Sequence, residues 1–455
     1  MLKKARFMTS KIGFLKSNLQ DTFPRGVRRV ARAIVEIVDA SPQINHTLVC
    51  LDDKKIPNSR PLSFSFDPLN DWLKSNPLSL PQKPGYPFSF AGLKKIFRLL
   101  IPPIFYPLIK KTIFILKTFI LNLRNLISKT TKKIASNISS DVEFSKEIVA
   151  LSELDAVIAF EPFNDIWMLP VENSKALAVG WFYDAVPKRI HEGENWKPDL
   201  FDTFVSLMAL RANHIFCDSK SAETDLHYFF PASLGKTSVV HLGHDIERFE
   251  KRLSDSEATK TLRDAGVDPL IPYFLFVGTV EPRKNITGIL LAAQKLKQIK
   301  PDVSFQIVLI GQIPGQHEIR RMIKQTNLLL PVHALEYLPD IQISTFMNRA
   351  TGFVFPSKWE GFGIPNLEAM TAETLVITSE LGPMPEVCGE HALYCDPYDH
   401  TNIAMQMLRC LEMPGEERLE RLKAAKLHAS QFTWKKAAEE MMTTINQLLE
   451  SRKKV

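Results

Sequence analysis

The chain has 455 residues, 45% of them hydrophobic and 24% charged, the composition of an ordinary soluble globular protein. That length exceeds what one compact core accommodates and predicts two domains, one of them carrying an insertion. The formal net charge of +7 is local: positions 72–140 hold twelve Lys or Arg and no Asp or Glu, which leaves 45 bases against 50 acids elsewhere. Cys50, Cys217, Cys388, Cys395 and Cys410 are scattered without a C-x-x-C pair, which excludes a disulfide scaffold or zinc site and fits a reducing cytosol.

The opening MLKKARFMTSKIGFLKSNLQ has no apolar run long enough for a signal peptide, and no stretch approaches the length of a membrane span. HTLVCLDD (46–53) is the first strand candidate. Ten of the thirty prolines fall within 57–107, so most of that stretch is expected to be irregular. In KKTIFILKTFILNLRNLIS (110–128), Lys110, Lys117 and Arg124 share one helical face while Ile113, Leu116, Ile120, Leu123 and Ile127 line another. Such a basic amphipathic helix either lies on an anionic membrane surface or packs on its own domain with its lysines in water; composition leaves both readings open. Nucleic acid is disfavoured as a partner, because the segment is aliphatic and no nucleic-acid motif accompanies it.

LDAVIAF (154–160), ALAVGWFYD (176–184), HIFCDS (214–219) and TSVVHLG (237–243) are further strand candidates, each ending in the polar or glycine residues from which α/β enzymes build binding loops. YFLFVGTV (273–280), FQIVLIG (305–311), TGFVF (351–355) and LVIT (375–378) follow, with a helical pattern over 286–300 after the first. A further strand is read as ending at LEY (335–337). Short buried strands alternating with helices predict a parallel sheet covered on both faces.

Two motifs carry chemistry. In VGTVEPRKN (277–285), Gly278 permits a sharp turn, Arg283 and Lys284 place two cations before a helix, and Asn285 is suited to cap that helix. Cations beside a helix N-terminus form a diphosphate site, although bases in that position are also commonplace on solvated surfaces. In FVFPSKWEGFGIPNLEAM (353–370), Gly361 and Gly363 free backbone N–H groups around Phe362, Pro365 fits the first helical position, and Glu360 and Glu368 stand eight residues apart. Two carboxylates flanking a phosphate-binding turn suit a sugar nucleotide, because carboxylates accept hydrogen bonds from sugar hydroxyls. Helix-dipole complementation alone would account for Glu368 and not for the pair.

VGTVEPRKN followed by PSKWEGFGIPNLEAM, with its E-x7-E spacing, and then by PEVCGEHALYCDPYD, resembles the retaining family 4 (group 1) glycosyltransferases. The likeness is close over 270–400. Upstream it rests on FPRGVRRVARAIVE (23–36), WFYDAVP (181–187), HIFCDSKSAETDL (214–226) and HLGHD (241–245), a pattern shared with subfamilies that modify lipopolysaccharide or other surface polysaccharides. The resemblance implies an α/β, GT-B fold of two Rossmann-like domains facing across a cleft. The acceptor-side domain would span 1–250, with the basic insertion at about 55–140; the donor domain 251–432; and a helix over 433–455 would pack back on the first domain.

Carried over residue by residue, the resemblance assigns Arg283 and Lys284 to the donor diphosphate, Glu360 to the donor sugar and Glu368 to the ribose. Gly278, Gly361, Phe362 and Gly363 would line the donor site, Gly26 would sit in the N-terminal loop, and Asp184 near the reacting centre. Catalysis would fall to Asp184, Arg283, Lys284 and Glu360, without metal or other cofactor. The partners implied are a UDP- or GDP-sugar donor, a glycan or lipid-linked acceptor and, through 92–135, an anionic membrane surface, with the protein cytoplasmic or peripheral to the inner face. The alternative is a non-catalytic, membrane-associated GT-B protein that binds sugar nucleotide. An epimerase or phosphorylase of the same fold matches the motifs less well. Four positions depart from the family pattern: Glu373 and Tyr337 replace glycines, Leu375 a proline and Tyr183 a histidine.

Overall fold

A computed structural model describes residues 10–15, 25–40, 46–51, 154–168, 171, 174–190, 198–312, 317–336 and 338–453. The amphipathic segment at 110–128, the whole 55–140 interval and Tyr337 lie outside the described residues. Among the described residues no helix is long and apolar enough to cross a membrane.

Two six-stranded sheets form, and every strand pairing in them is parallel. The first contains β1 (Ser10–Leu15), β2 (His46–Leu51), β3 (Ala156–Ala159), β4 (Leu177–Phe182), β5 (His214–Cys217) and β6 (Thr237–Val239), in the order β2-β1-β3-β4-β5-β6. The second contains β7 (Tyr273–Val277), β8 (Gln306–Ile310), β9 (Val332–Leu335), β10 (Gly352–Phe355), β11 (Leu375–Ser379) and β12 (Leu393–Cys395), ordered β12-β11-β10-β7-β8-β9. Strands β3, β4, β5, β8, β10 and β11 are buried at every position, as sheets covered on both faces require.

The second sheet has the dinucleotide-fold order, whose topological switch falls between β7 and β10. The loops leaving those two strands, after Val277 and Phe355, are the ones that carry both chemistry-bearing motifs. Strand order alone thus brings 277–285 beside 356–363. Asn285 then locks them. It adopts the left-handed conformation (φ 59°), and its Oδ1 accepts from Gly288 N at 3.1 Å to cap helix Ile286–Ile299. Its Nδ2 donates to Pro356 O at 3.2 Å and Pro397 O at 2.6 Å.

The last helix, Trp434–Lys453, packs against helix Arg25–Ala40 beside the first sheet. Its start is seated by the 241–245 loop. A Cβ on Gly243 would lie 2.1 Å from Trp434 N, and His244 bridges Phe432 O at 3.0 Å and Thr371 Oγ1 at 2.6 Å.

Glu373, standing where the resembled family has glycine, has φ 58°, the left-handed conformation that usually ends a helix with glycine. It closes helix Ile364–Thr371, and ion pairs to Arg252 at 2.7 Å and Lys426 at 3.3 Å attend the strained residue. Leu375 opens β11 and is fully buried; a strand's first residue is a place where proline is also tolerated, so this departure leaves the sheet unaltered.

Asn285→Ala removes a helix cap and the donor to two loop carbonyls at once. We expect a loss of about 2–4 kcal/mol, read as a lowered thermal or urea midpoint. A midpoint equal to wild type would contradict the locking role.

Candidate functional site

The carboxyl ends of the two sheets enclose a cavity of about 500 Å³. From the second half of the chain come Arg283, Lys284, Glu360, Gly361, Phe362, Gly363 and Pro365; from the first come Arg29, Glu161, Tyr183, Asp184 and Asp218. Of the residues singled out in the sequence, Asp184, Arg283, Lys284, Glu360, Gly361, Phe362 and Gly363 therefore share one cavity.

Gly26, Gly278 and Glu368 stand elsewhere. Gly26 is the second residue of helix Arg25–Ala40, not part of a loop. Glu368 lies in the second turn of helix Ile364–Thr371, 6% exposed and off the cavity wall, where its Oε1 accepts from Arg29 Nη2 at 2.7 Å. The same Arg29 nitrogen reaches Asp245 Oδ2 at 2.8 Å, so Arg29 ties the first helix both to the 241–245 loop and to helix Ile364–Thr371. Pro365 is the helix's second residue, because Ile364 precedes it inside the first turn. Gly278 lies beneath Lys284, whose Nζ would be 3.1 Å from a Cβ placed there; φ of 149° independently favours glycine.

The two cations differ in state. Arg283 is clamped between Glu360 Oε2 at 2.5 Å and Glu281 Oε2 at 2.7 Å. Burial would lower its pKa, but Glu360, Glu281 and Asp184 outweigh that and raise it. Burial would likewise raise the Glu360 pKa, yet Arg283 and then Lys284 hold it below the usual carboxylate range, and Ser357 Oγ donates to Oε1 at 3.0 Å. The Lys284 ammonium has no ion-pair partner among the described residues and lies 5.9 Å over the Phe355 ring. The charge left for an anionic ligand is therefore mainly that of Lys284.

The helix end that faces the cavity is also not the one the sequence indicated. Asn285 occupies the N-terminus of Ile286–Ile299 with its own side chain, as described above. Helix Ile364–Thr371 instead begins at Gly363, which adopts φ 94° and supplies no capping side chain, and Gly363, Ile364 and Pro365 line the cavity. Pro365 has no N–H and Asn366 N already donates to Gly363 O at 3.0 Å, so it is the helix dipole that supplements Lys284.

Gly361 is where the halves touch. A Cβ there would stand 2.4 Å from Tyr183 O and 3.2 Å from Asp218 Oδ2, so any side chain would force the walls apart. Its carbonyl accepts from Ser219 Oγ at 2.7 Å, while Ser219 Oγ accepts from Ala222 N at 3.0 Å to cap helix Lys220–Phe229. Glu386, from the second half, accepts from Lys220 N at 2.9 Å and pairs with His241 at 2.6 Å. Trp359 completes the contact, donating to Asp225 Oδ2 at 3.1 Å with the Arg189 guanidinium 4.8 Å from its ring. Arg189 Nε also donates to Asp225, at 3.0 Å.

On the opposite wall, Asp184 Oδ1 accepts from Val186 N at 2.9 Å, and burial raises its pKa against the opposing pull of Arg283. Asp218 is only 2% exposed; burial, then the neighbouring Asp184, pushes its pKa well above the usual range. Glu161, Asp218, Ser219, Trp359 and Glu386 were not singled out as site residues in the sequence. A signal existed for two of them: Glu161 and Asp218 each follow closely on a fully buried strand, at the carboxyl end where such sheets bind ligands.

Residues 263–428 match the family model described as "Glycosyl transferases group 1". Over 163 residues the chain is 32% identical to O-antigen chain mannosyltransferase B of Escherichia coli, covering 36% of this chain and 42% of the relative. Over 335 residues it is 24% identical to the serotype-specific mannosyltransferase WbdA of Escherichia coli, covering 70% of this chain and 37% of that one. The chain thus spans less than half the length of these curated relatives. Among solved structures it is similar to HepE from Anabaena in complex with UDP and glucose, with a TM-score of 0.60, 16% identity, and coverage of 96% of this chain and 100% of that one. Two facing parallel α/β sheets with this likeness make the fold GT-B.

Asp218 has a folded pKa above its unfolded one, so the folded state binds the proton more tightly. Its ionisation weighs against stability increasingly as pH rises from the unfolded value of about 4. Asp218→Asn should therefore melt a few degrees above wild type at pH 7–8, with the gap closing toward about pH 4. A variant that melts lower at pH 8 than at pH 4 relative to wild type would reverse the assignment.

Proposed function

We propose that this protein is a glycosyltransferase that moves a sugar from a nucleoside diphosphate to a hydroxyl of a surface-polysaccharide, lipopolysaccharide or glycolipid acceptor, with retention at the anomeric carbon. The observation that carries the reading is a single cavity holding Lys284, the Arg283–Glu360 pair and the open N-terminus of helix Ile364–Thr371 on one wall, with Asp184 on the other. The match of 263–428 to group 1 glycosyl transferases and the likeness to O-antigen mannosyltransferases support it.

The barrier to such a transfer is departure of the diphosphate as positive charge grows on the sugar ring. Lys284, the helix N-terminus and Arg283 are fixed before substrate arrives, so they stabilise the leaving charge without reorganising. Arg283 serves in two directions. Paired with Glu281 and Glu360, it brings positive charge to the diphosphate, and it keeps Glu360 ionised to accept from sugar hydroxyls. Retention follows if the acceptor hydroxyl attacks on the face the diphosphate vacates, with a departing phosphate oxygen taking its proton. Glu368 is held by Arg29 through Oε1, which orients the helix end and leaves Oε2 as the oxygen that would accept from ribose hydroxyls.

Lys284→Ala should lower transfer from UDP-glucose or GDP-mannose, whichever donor the wild type uses, by about 10²–10³-fold with an unchanged circular dichroism spectrum. Transfer within two-fold of wild type, measured as radiolabel moved from donor into a cell-envelope extract, would remove Lys284 from the mechanism.

A further inference from the structure

We propose that Asp218, with the Tyr183 hydroxyl beside it, recognises hydroxyl groups of an uncharged sugar ring on the donor; the inference rests on the glycosyl-transfer reading. Asp218 follows β5 directly and lines the cavity, yet its Oδ1 is buried with no hydrogen-bond partner among the described residues. The Tyr183 hydroxyl, on the same wall, is buried and unpartnered in the same way, its ring stacked on Trp181 at 6.3 Å and 27°. Folded proteins rarely leave two such groups unpaired in one place, because each disfavours folding until something supplies its partner.

The chemistry of the pair defines that partner. A phenol donates and accepts, and a carboxyl accepts when ionised and donates as well when protonated, as its raised proton affinity favours here. Neighbouring hydroxyls on a sugar ring, which donate and accept likewise, complete both groups. A phosphate brings only acceptors and negative charge to a wall that already holds Glu161, Asp184 and Asp218. A sugar bearing its own carboxylate is disfavoured there for the same reason. Position assigns the donor's ring in particular: Asp218 Oδ2 abuts Gly361, the neighbour of Glu360, whereas the cations Arg283 and Lys284 come from the other half. Asp218 is thus a second carboxyl on the sugar, facing Glu360 from the opposite domain.

The test is calorimetric titration, without acceptor, of wild type, Asp218→Ala, Asp218→Asn and Tyr183→Phe. The probes are UDP, UDP-glucose and UDP-glucuronate, and GDP, GDP-mannose and GDP-mannuronate. Asp218→Ala should weaken the neutral sugar nucleotide about ten-fold, the worth of one good hydrogen bond, and leave the bare diphosphate unchanged. Tyr183→Phe should do the same to a smaller degree. Asp218→Asn, which keeps a donor and an acceptor, should restore neutral-sugar binding to within about three-fold of wild type. Wild type should bind the uronate no better than the bare diphosphate. The proposal is overturned if Asp218→Ala keeps the wild-type ratio of sugar nucleotide to diphosphate affinity, or if the uronate binds more tightly than the neutral sugar. A wild type that binds none of the six nucleotides overturns the glycosyl-transfer reading itself, and this proposal with it.

Discussion

The arrangement depends on the absence of a side chain at Gly361. Its Cα comes so close to the Tyr183 carbonyl that the halves of the cleft meet backbone to backbone at the site. Ser219 then fastens the Gly361 carbonyl, and Glu386 returns the contact by accepting from the first amide of the same helix. Because Glu360 and Phe362 flank Gly361, the first half of the chain helps set where the second half holds its carboxylate. Neither sheet alone presents the cavity: Arg283, Lys284, the helix end and one acid come from one side, and Arg29 and the remaining acids from the other.

Charge within the cavity is arranged in opposition. Arg283 and Glu360 are largely buried and keep each other ionised, an arrangement in which removing either partner strands a charge. Lys284 is left to meet a ligand, while Asp184 and Asp218 across the gap are pushed toward their protonated forms. An anionic ligand entering such a site meets a preset gradient, positive on one side and proton-rich on the other, and little has to move when it arrives.

Much of this was legible in the residues. The apolar runs at 273–277, 306–310 and 352–355 announced the second sheet because buried parallel strands have few other ways to be written. The two motifs could be read because strand-end turns require particular residues: Gly363 for its φ, Asn285 for its cap, and bases before a helix. β1 and β12 were not identified. The first is SKIGFL, with a polar start and a central glycine, and the second is only LYC. Longer-range facts escaped for a plainer reason. That Glu368 faces Arg29, 339 positions away, and that Asn285 seals its own helix while Gly363 leaves another open, follow from folding and not from spacing. The unpaired oxygen of Asp218 is likewise a property of three-dimensional packing.

Trp359 gives the cleft an optical property. Its indole N–H is held by Asp225 of the first half while Arg189 covers its ring, and both partners would be lost if the halves separated. Trp167 and Trp181, by contrast, are fully buried within the first half and would keep their surroundings. A separation of the halves would therefore change the surroundings of Trp359 and leave those of Trp167 and Trp181. Intrinsic emission, red-shifted as Trp359 meets water, would report such a separation without an added label.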